Sequence, residues 1–457
     1  MSAAQFARQE DALDTPTPIG TPAARTSKRA APATRTLEQQ VVAKFMRHIM
    51  PFLGLIYLIA YVDRQNVGFA KLQMAGDLHL SESAYGLGAS LFFVGYFLFE
   101  VPSNLFLARL GARLWFARIM VSWGLVTVAL GFTQNPAMFY ALRFLLGVCE
   151  AGFFPGVLYL LTVWMPQDHR ARMVGWFMIA SVVANAVGAP LCGWLLDLDG
   201  TFGLRGWQLV FLTTGGPAVL MGFVTLFWLP DGPAKARFYT HEEKAWLLER
   251  IAAEDSDMGK TDHANPIAAL LDRRILLLAG TYVGFPLAAY GLSYWLPTVV
   301  KGFGVSNTVN GFLNIIPWVC TGLALWWVPR HAHRTGEKTW HIVGPLAVGA
   351  VFLILSVVVP GPVWKFAFLS IAAAGIFSAQ PVYWTLPSTI LRGASVAAGL
   401  AAINSVGNMG GFVAQNVVPI IHDATGSNFM PMLFLAACLC ASGVMVFVVQ
   451  RVLGAEK

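Results

Sequence analysis

Twelve apolar runs of roughly 20 residues constrain this chain more than any other feature of its sequence. A helix that crosses a bilayer needs about 20 predominantly apolar residues. Only 12% of the residues are charged, about half the share of a soluble domain. We therefore expect an all-α membrane protein with twelve transmembrane helices. The predicted spans are 48–70, 83–106, 113–132, 137–164, 172–196, 207–229, 275–300, 306–328, 341–359, 364–388, 394–421 and 429–450.

One long polar segment, 230–274, divides these spans six and six. The arrangement predicts an N-terminal six-helix bundle over 48–229 and a C-terminal bundle over 275–450, related by duplication as in many transporters. Residues 1–47 are rich in Ala, Thr, Pro and Arg and predict a disordered tail. Residues 451–457 form a second short tail.

Two local patterns support this division. Thr240 and Glu243 have capping-box spacing ahead of an apolar stripe, which predicts a short surface helix in the linker. The pattern R-x-G-x-[RK] follows the second and the eighth span at an offset of 225 residues, as 109–113 and 334–338. A repeat at equivalent places favours two pseudo-symmetric halves.

Basic residues in the loops predict the orientation, because cytoplasmic loops carry an excess of Lys and Arg. With the N-terminus inside, the cytoplasmic tails and loops hold 25 of the 31 basic residues. We therefore expect both termini in the cytoplasm and, as no organelle signal is visible, a plasma (bacterial inner) membrane location. The opposite side holds only Lys71, Arg205, Lys301 and Lys365.

Two adjacent charges, Asp63 and Arg64, lie inside the first span. Each costs about 2.5–3.5 kcal/mol at the centre of a transmembrane helix, so intramembrane charges mark candidate functional sites. At 1.5 Å per residue, Asp63 is roughly 22 Å from the cytoplasmic start of its helix. Arg143 of the fourth span is close to that level, and Glu150 is two turns deeper on the same face. If the two helices face each other, two acids and two bases share one layer.

Apart from Lys365 at the outer edge of the tenth span, the C-terminal spans contain no charged residue. Their neutral polar residues predict a division of labour in which the first half carries charge and protons and the second shapes the cavity and binds substrate. Tyr96 is the corresponding cavity candidate of the first half. The C-terminal candidates are Tyr290, Gln380, Trp384, Asn404 and Asn408.

A purely structural reading stays open for these residues. Buried ion pairs stabilise little, because desolvation offsets most of the attraction, but they could still tie two helices together. Asn404 and Asn408, four residues apart on one helix face, could hold helices rather than substrate. Glu100, near the cytoplasmic end of the second span, is expected to be structural.

Several other functions find no support in the residues. The five cysteines all lie in apolar segments, without a CxxC or Cys/His cluster. No Ser/His/Asp grouping, metal-ligand spacing or phosphate-binding loop accompanies the intramembrane charges. We expect no catalytic residue, no metal, no cofactor and no nucleic-acid partner, and hence no enzyme.

The motifs of the first and fourth spans resemble the anion:cation symporter family of the major facilitator superfamily. They are Tyr61-x-Asp63-Arg64-x-Asn66, then Tyr96 with Pro102-Ser-Asn104, and Arg143-x3-Gly147-x2-Glu150-Ala-Gly-x2-Pro155. The resemblance covers about residues 45–451. The family includes carriers of sugar acids, tartrate, phthalate and 4-hydroxyphenylacetate.

The resemblance implies roles for matching positions. Asp63 and Glu150 match proton-coupling acids, and Arg64 matches an arginine that binds the substrate carboxylate. Arg143 matches an arginine that helps set the protonation of Glu150. Tyr61 and Tyr96 match cavity tyrosines, and Asn404 or Asn408 matches a polar substrate contact. The loop motif departs from the superfamily pattern, with Asn104, Ala108 and Ala112 in the first copy and His333 in the second. A solvated loop histidine is the expected reading of His333.

Together these features predict a monomeric, proton-coupled importer of a small organic anion that works by alternating access in membrane lipid. The candidate substrates are sugar acids, tartrate-like hydroxy acids and aromatic acids. An anion exchanger and a sodium-coupled carrier on the same fold are the alternatives. A transporter-like receptor is a further one, although the long additional soluble domain typical of such receptors is absent.

Overall fold

The computed structural model describes residues 36–258, 273–387 and 395–454. Within these ranges the chain is helical and contains no strand. In chain order the helices are α1 (Leu37–His48), α2 (Met50–Asp77), α3 (Glu82–Leu110), α4 (Ala112–Leu130), α5 (Pro136–Glu150), α6 (Phe153–Trp164), α7 (Gln167–Asp197), α8 (Gly206–Trp228), α9 (His241–Met258), α10 (Arg273–Lys301), α11 (Asn307–Leu313), α12 (Ile315–Thr335), α13 (Thr339–Val358), α14 (Pro362–Tyr383), α15 (Ser395–Thr425) and α16 (Phe429–Gly454).

The predicted membrane-spanning helices are confirmed. Ten described segments are long and apolar enough to cross a bilayer, and α3 and α15 add helices of 29 and 31 residues. Large apolar side chains cover the outer surface: Phe227 is 90% exposed, Leu323 65% and Val444 62%. A surface of this kind suits lipid, since soluble monomers rarely expose apolar patches of more than a few hundred Å².

The two halves repeat one packing scheme. In the first half α2 packs on α7, α3 on α5, and α4 on α8; in the second α10 packs on α15, α12 on α14, and α13 on α16. The halves meet where α2 packs on α10, α3 on α15, and α7 on α11 and α12. These seven helices face each other across the boundary between the halves and surround a central space.

The fourth predicted span, 137–164, is not one helix. α5 ends at Glu150 and α6 begins at Phe153. Between them Gly152 has a φ of +86°, a conformation that side chains disfavour. A Cβ on Gly152 would also lie 2.4 Å from the Ser103 Oγ of α3. The break therefore fixes Glu150 at the very end of α5.

The eighth predicted span, 306–328, is also divided, into α11 and α12. Asn314 separates the two helices, and its Nδ2 donates to the Asn310 carbonyl oxygen at 2.8 Å. Asn314 is buried there, so its amide satisfies backbone groups at the break.

The prediction of a disordered tail is wrong for residues 37–47. They form most of α1, which begins with a capping box between Thr36 and Gln39. Val41 and Phe45 are fully buried, and this apolar stripe supplies the packing that stabilises so short a helix. Residues 1–35 lie outside the described part of the chain.

The predicted linker helix is confirmed as α9. The Thr240 N–H donates to Glu243 Oε2 at 2.7 Å, and the Glu243 N–H donates to Thr240 Oγ1 at 3.3 Å. The Lys44 ammonium of α1 donates to the same Glu243 Oε2 at 2.7 Å. The linker is thus attached to the first half. We call the end of the bundle that carries α1 and α9 the α1 face, and the opposite end the far face.

The R-x-G-x-[RK] loops lie on the α1 face. In the first copy Arg113 forms an ion pair with Asp231 of the linker, with 3.0 Å between Nε and Oδ1. In the second copy His333 lies in the last turn of α12 and is exposed. The prediction of a solvated histidine at this position is confirmed.

We expect Gly152→Ala to lower the free energy of unfolding by about 1–3 kcal/mol, the cost of forcing a side chain into a disfavoured backbone region. Equilibrium unfolding of the purified protein in detergent measures the effect. Gly216→Ala in α8 is the control, because nothing lies within 4 Å of its Cβ position. Equal effects of the two substitutions would contradict the account of the break.

Candidate functional site

A cavity of about 140 Å³ lies between the two halves. Both halves contribute side chains, and ten of the lining residues are aromatic. The lining consists of Tyr57, Tyr61, Arg64, Gln65, Val67, Gly68, Tyr96, Phe154, Asn185, Tyr282, Pro286, Ala289, Tyr290, Ser293, Tyr294, Trp318, Phe377, Gln380, Trp384, Asn404, Asn408 and Gln415. Arg64 is the one charged side chain among these described residues.

One face of α2 supplies the polar centre of the cavity. Tyr57, Tyr61, Arg64, Gln65 and Gly68 are spaced at intervals that place them on the same side of a helix. The carbon at the centre of the Arg64 guanidinium lies 5.4 Å from the Tyr61 ring centroid. It also lies 5.6 Å from the ring of Tyr96 on α3. These aromatic faces stabilise a cation that has lost part of its water.

Arg64 pairs with Glu150. Its Nε and Nη2 lie 2.7 and 2.6 Å from Glu150 Oε1. The carboxylate is fully buried, whereas the Arg64 side chain is 17% exposed towards the cavity. The second carboxylate oxygen, Oε2, has no hydrogen-bond partner. Glu150 thus holds the arginine through one oxygen and leaves the other available for a proton.

Asp63 points away from the cavity, although it precedes Arg64 in the chain. Its Oδ2 accepts from Trp123 Nε1 at 2.9 Å and from Thr127 Oγ1 at 3.0 Å. Its Oδ1 accepts from Asn66 Nδ2 at 2.8 Å. Asp63 is 1% exposed and contacts no cation among the described residues. Two neutral donors of α4 therefore hold this carboxylate against that helix, and Asn66 of the same helix as Asp63 supplies a third.

Arg143 is likewise buried, at 4% exposure, and forms no ion pair with a described acid. Its Nη2 donates to the Ala89 carbonyl oxygen at 2.8 Å, and its guanidinium lies 5.2 Å from the Phe92 ring centroid. The Nε has no partner. Of the four charges expected in one layer, Arg64 and Glu150 form an ion pair and the other two contact neutral groups.

The polar candidates of the second half all line the cavity. Tyr290 of α10, Gln380 of α14, and Asn404 and Asn408 of α15 face it, together with Trp384 just after α14. They line the side of the cavity that the second half forms, whereas Arg64 belongs to the first half. The geometry that their predicted role requires is therefore present.

Glu100 contacts α15 across the boundary between the halves. Its Oε2 accepts from Ser405 Oγ at 2.5 Å, and its Oε1 accepts from Asn404 Nδ2 at 3.4 Å. The carboxylate is 2% exposed. Asn404 thus both lines the cavity and connects the halves, and its role as a substrate contact stays a prediction.

Sequence reasoning missed several polar lining residues, namely Tyr57, Gln65, Asn185, Tyr282, Ser293, Tyr294 and Gln415. Gln65, Ser293 and Gln415 could have been found, because they follow the candidates Tyr61, Tyr290 and Asn408 at helical spacings of four, three and seven residues. Asn185 lies on a helix without any recognised candidate and offered no such signal. Among the described residues, no three His, Cys, Asp or Glu side chains come together as a metal site.

Comparisons with known proteins agree with this geometry. Residues 53–415 match the Major Facilitator Superfamily. The chain is similar to a quinolone resistance transporter of Acinetobacter baumannii, with 44% identity over 92% of this chain and 97% of the relative. It is also similar to a putative tartrate transporter of Agrobacterium vitis, with 42% identity over 91% and 96%. The fold resembles the solved structure of a bacterial homologue of the lysosomal transporter Spinster (TM-score 0.72, 15% identity, 92% and 98% coverage). The chain therefore belongs to the major facilitator superfamily and is a multi-pass membrane transporter, not an enzyme.

Proposed function

We propose that this transporter is a proton-coupled symporter that imports a small organic anion carrying at least one carboxylate. The contact between Arg64 and Glu150 supports the proposal most directly. Arg64 is the charged group that a substrate in the cavity meets, and its present partner is an acid that protonation can neutralise. A bound carboxylate and an ionised Glu150 therefore compete for one guanidinium.

This competition couples substrate to proton. Removing one partner of a buried ion pair costs about 3–5 kcal/mol, because the other charge remains buried and unpaired. Once Glu150 is protonated, the Arg64 guanidinium lacks a negatively charged partner, and the substrate carboxylate takes that place. When the proton leaves, the ion pair between Glu150 and Arg64 forms again and the substrate is released. Uptake requires that the two steps occur on opposite sides of the membrane.

The second half is proposed to recognise the rest of the substrate. Gln380, Asn404 and Asn408 offer amide donors and acceptors, while Trp384 and Tyr290 offer aromatic faces. Tyr61 and Tyr96 would flank the carboxylate beside Arg64. Hydroxy acids such as tartrate or sugar acids, and aromatic acids, are compatible with these groups.

The orientation proposed from loop charges places the α1 face in the cytoplasm. α1, α9 and both R-x-G-x-[RK] loops lie on that face, together with most of the basic residues. We propose a monomer in the bacterial inner membrane with both termini in the cytoplasm.

Glu150→Gln should abolish uphill uptake but retain counterflow exchange, because glutamine cannot release a proton. Proteoliposomes with an imposed pH gradient, assayed with tartrate, gluconate and nicotinate as probes, measure both activities. Glu100→Gln is the control, since it removes a buried carboxylate that does not bond to Arg64. Uphill uptake retained in Glu150→Gln, or driven by sodium at clamped pH, would refute the proton assignment.

Arg64→Ala should weaken binding of a carboxylate probe by a factor on the order of 30 to 1000, the usual consequence of truncating a buried charge contact. Arg64→Lys should restore part of the affinity, because lysine keeps the charge but not the two-point geometry. Ligand-induced thermal stabilisation at acidic and neutral pH reports affinity. Arg205→Ala, whose side chain is 60% exposed in the wild type, should bind normally. Unchanged affinity in Arg64→Ala would contradict the carboxylate site.

The resemblance predicts a proton-coupling role for Asp63, but the contacts of its carboxylate favour a positioning role, which we propose instead. Trp123 and Thr127 of α4 both donate to this carboxylate, so it holds α2, and with it Arg64, against α4. We therefore expect Asp63→Asn to lower the free energy of unfolding by about 1–3 kcal/mol, the cost of mismatched buried hydrogen bonds, while uphill uptake persists. Unfolding and uptake measured on the same preparation test this. Loss of uphill uptake with counterflow retained would instead make Asp63 a second proton carrier.

A further inference from the structure

Two carboxylates connect the halves at the far face of the bundle. Asp197, the last residue of α7, accepts from two backbone N–H groups at the start of α11. The Asn307 N–H lies 3.2 Å from Oδ1, and the Thr308 N–H lies 2.7 Å from Oδ2. Asp423, in the last turn of α15, accepts from the Ser83 N–H at the start of α3 at 2.9 Å.

These contacts use backbone groups that a helix cannot satisfy internally. The first four N–H groups of an α-helix have no partner within the helix. In each case a serine of the helix's own half takes the third of them: Ser81 Oγ accepts from Ala84, and Ser306 Oγ accepts from Val309. The carboxylate of the opposite half accepts hydrogen bonds from the backbone N–H groups that immediately precede this third one. The end of each helix is thus capped jointly by both halves.

The two contacts are related by the internal repeat. Ser81 and Ser306 are separated by 225 residues, as are the donors Ser83 and Thr308. The acceptors Asp197 and Asp423 are 226 apart. Each half therefore supplies one carboxylate acceptor to the other half, and one helix N-terminus that donates to the other half's carboxylate.

The backbones also approach closely beside each contact. A Cβ on Gly86, one turn after Ser83, would lie 2.2 Å from the Gln415 carbonyl oxygen of α15. A Cβ on Gly311, one turn after Thr308, would lie 2.5 Å from the Ala189 carbonyl oxygen of α7. The far end of the cavity is closed at these two crossings.

We propose that Asp197 and Asp423 are paired latches that hold the far end of the cavity closed and thereby set the balance between the two access states of the transporter. The contacts can form only while the helix ends are adjacent. Both acids are exposed, so water replaces the contact when the ends separate. Each latch therefore contributes modestly, as a mobile gate requires, and its action does not depend on which anion is carried.

The distance between the two halves at the far face tests the proposal. Spin labels report this distance by pulsed electron paramagnetic resonance in nanodiscs. The labels are placed at Phe202 of the first half and Val363 of the second, whose side chains are 92% and 75% exposed. The full chain is used with its cysteines that are not buried, Cys320, Cys438 and Cys440, replaced by serine.

Asp197→Ala and Asp423→Ala should each raise the ratio of far-face-open to closed protein about fivefold, as expected for loss of a helix cap. Because the sites are separate, the double variant should raise it about 25-fold. Asp199→Ala is the matched control: Asp199 Oδ1 accepts from the Gly206 N–H at 2.8 Å, an equivalent bond within one half. If the distance distributions of Asp197→Ala and Asp423→Ala match that of Asp199→Ala, the proposal is overturned.

Substitution of the donor gives a second, independent test. Ser83→Pro removes the N–H that Asp423 accepts, in a first helical turn that tolerates proline. It should reproduce Asp423→Ala, and the two together should shift the equilibrium no further, since both remove the contact between Ser83 and Asp423. Ser83→Ala keeps the N–H and should stay closed. A far face that stays closed in Ser83→Pro overturns the latch at α3.

Discussion

An ion pair inside a bilayer organises this transporter. An unpaired charge is costly in the interior of a bilayer, so Arg64 and Glu150 each require a partner, and their contact supplies it. This requirement links α2 to α5, and the break at Gly152 lets Glu150 end a helix at the level of the arginine. The same requirement gives the pair its proposed use, because whatever neutralises Glu150 changes what Arg64 binds.

The fold is predicted by the sequence almost completely, because a bilayer leaves little choice. Spans of about 20 apolar residues must be helices, since unpaired backbone groups are not tolerated in lipid. The errors are local. Gly152 looks like an ordinary apolar residue until its φ is known. The helix over Leu37–His48 depends on contacts distant in sequence: Phe45 packs against Trp164 of α6, and the Val41 carbonyl accepts from the Tyr239 hydroxyl of the linker.

The candidate site is predicted in part. Helical depth brought Arg64 and Glu150 to one region, and the structure places them in contact. The same arithmetic grouped Asp63 with them, although adjacent residues on a helix point about 100° apart. The partners of Asp63, namely Trp123 and Thr127, carry no charge and gave no signal. Contacts across the halves, such as that of Glu100 with Ser405, depend on the relative position of two bundles and are beyond local patterns.

The asymmetry of the cavity has a consequence for how specificity can change. The ion pair belongs to the first half alone, whereas Gln380, Trp384 and Asn408 of the second half touch neither of its members. A substitution on that side alters the shape and polarity offered to the substrate while the charged centre keeps its geometry. Mutation of the second half alone can therefore change which substrates fit, while the ion pair of the first half keeps its geometry.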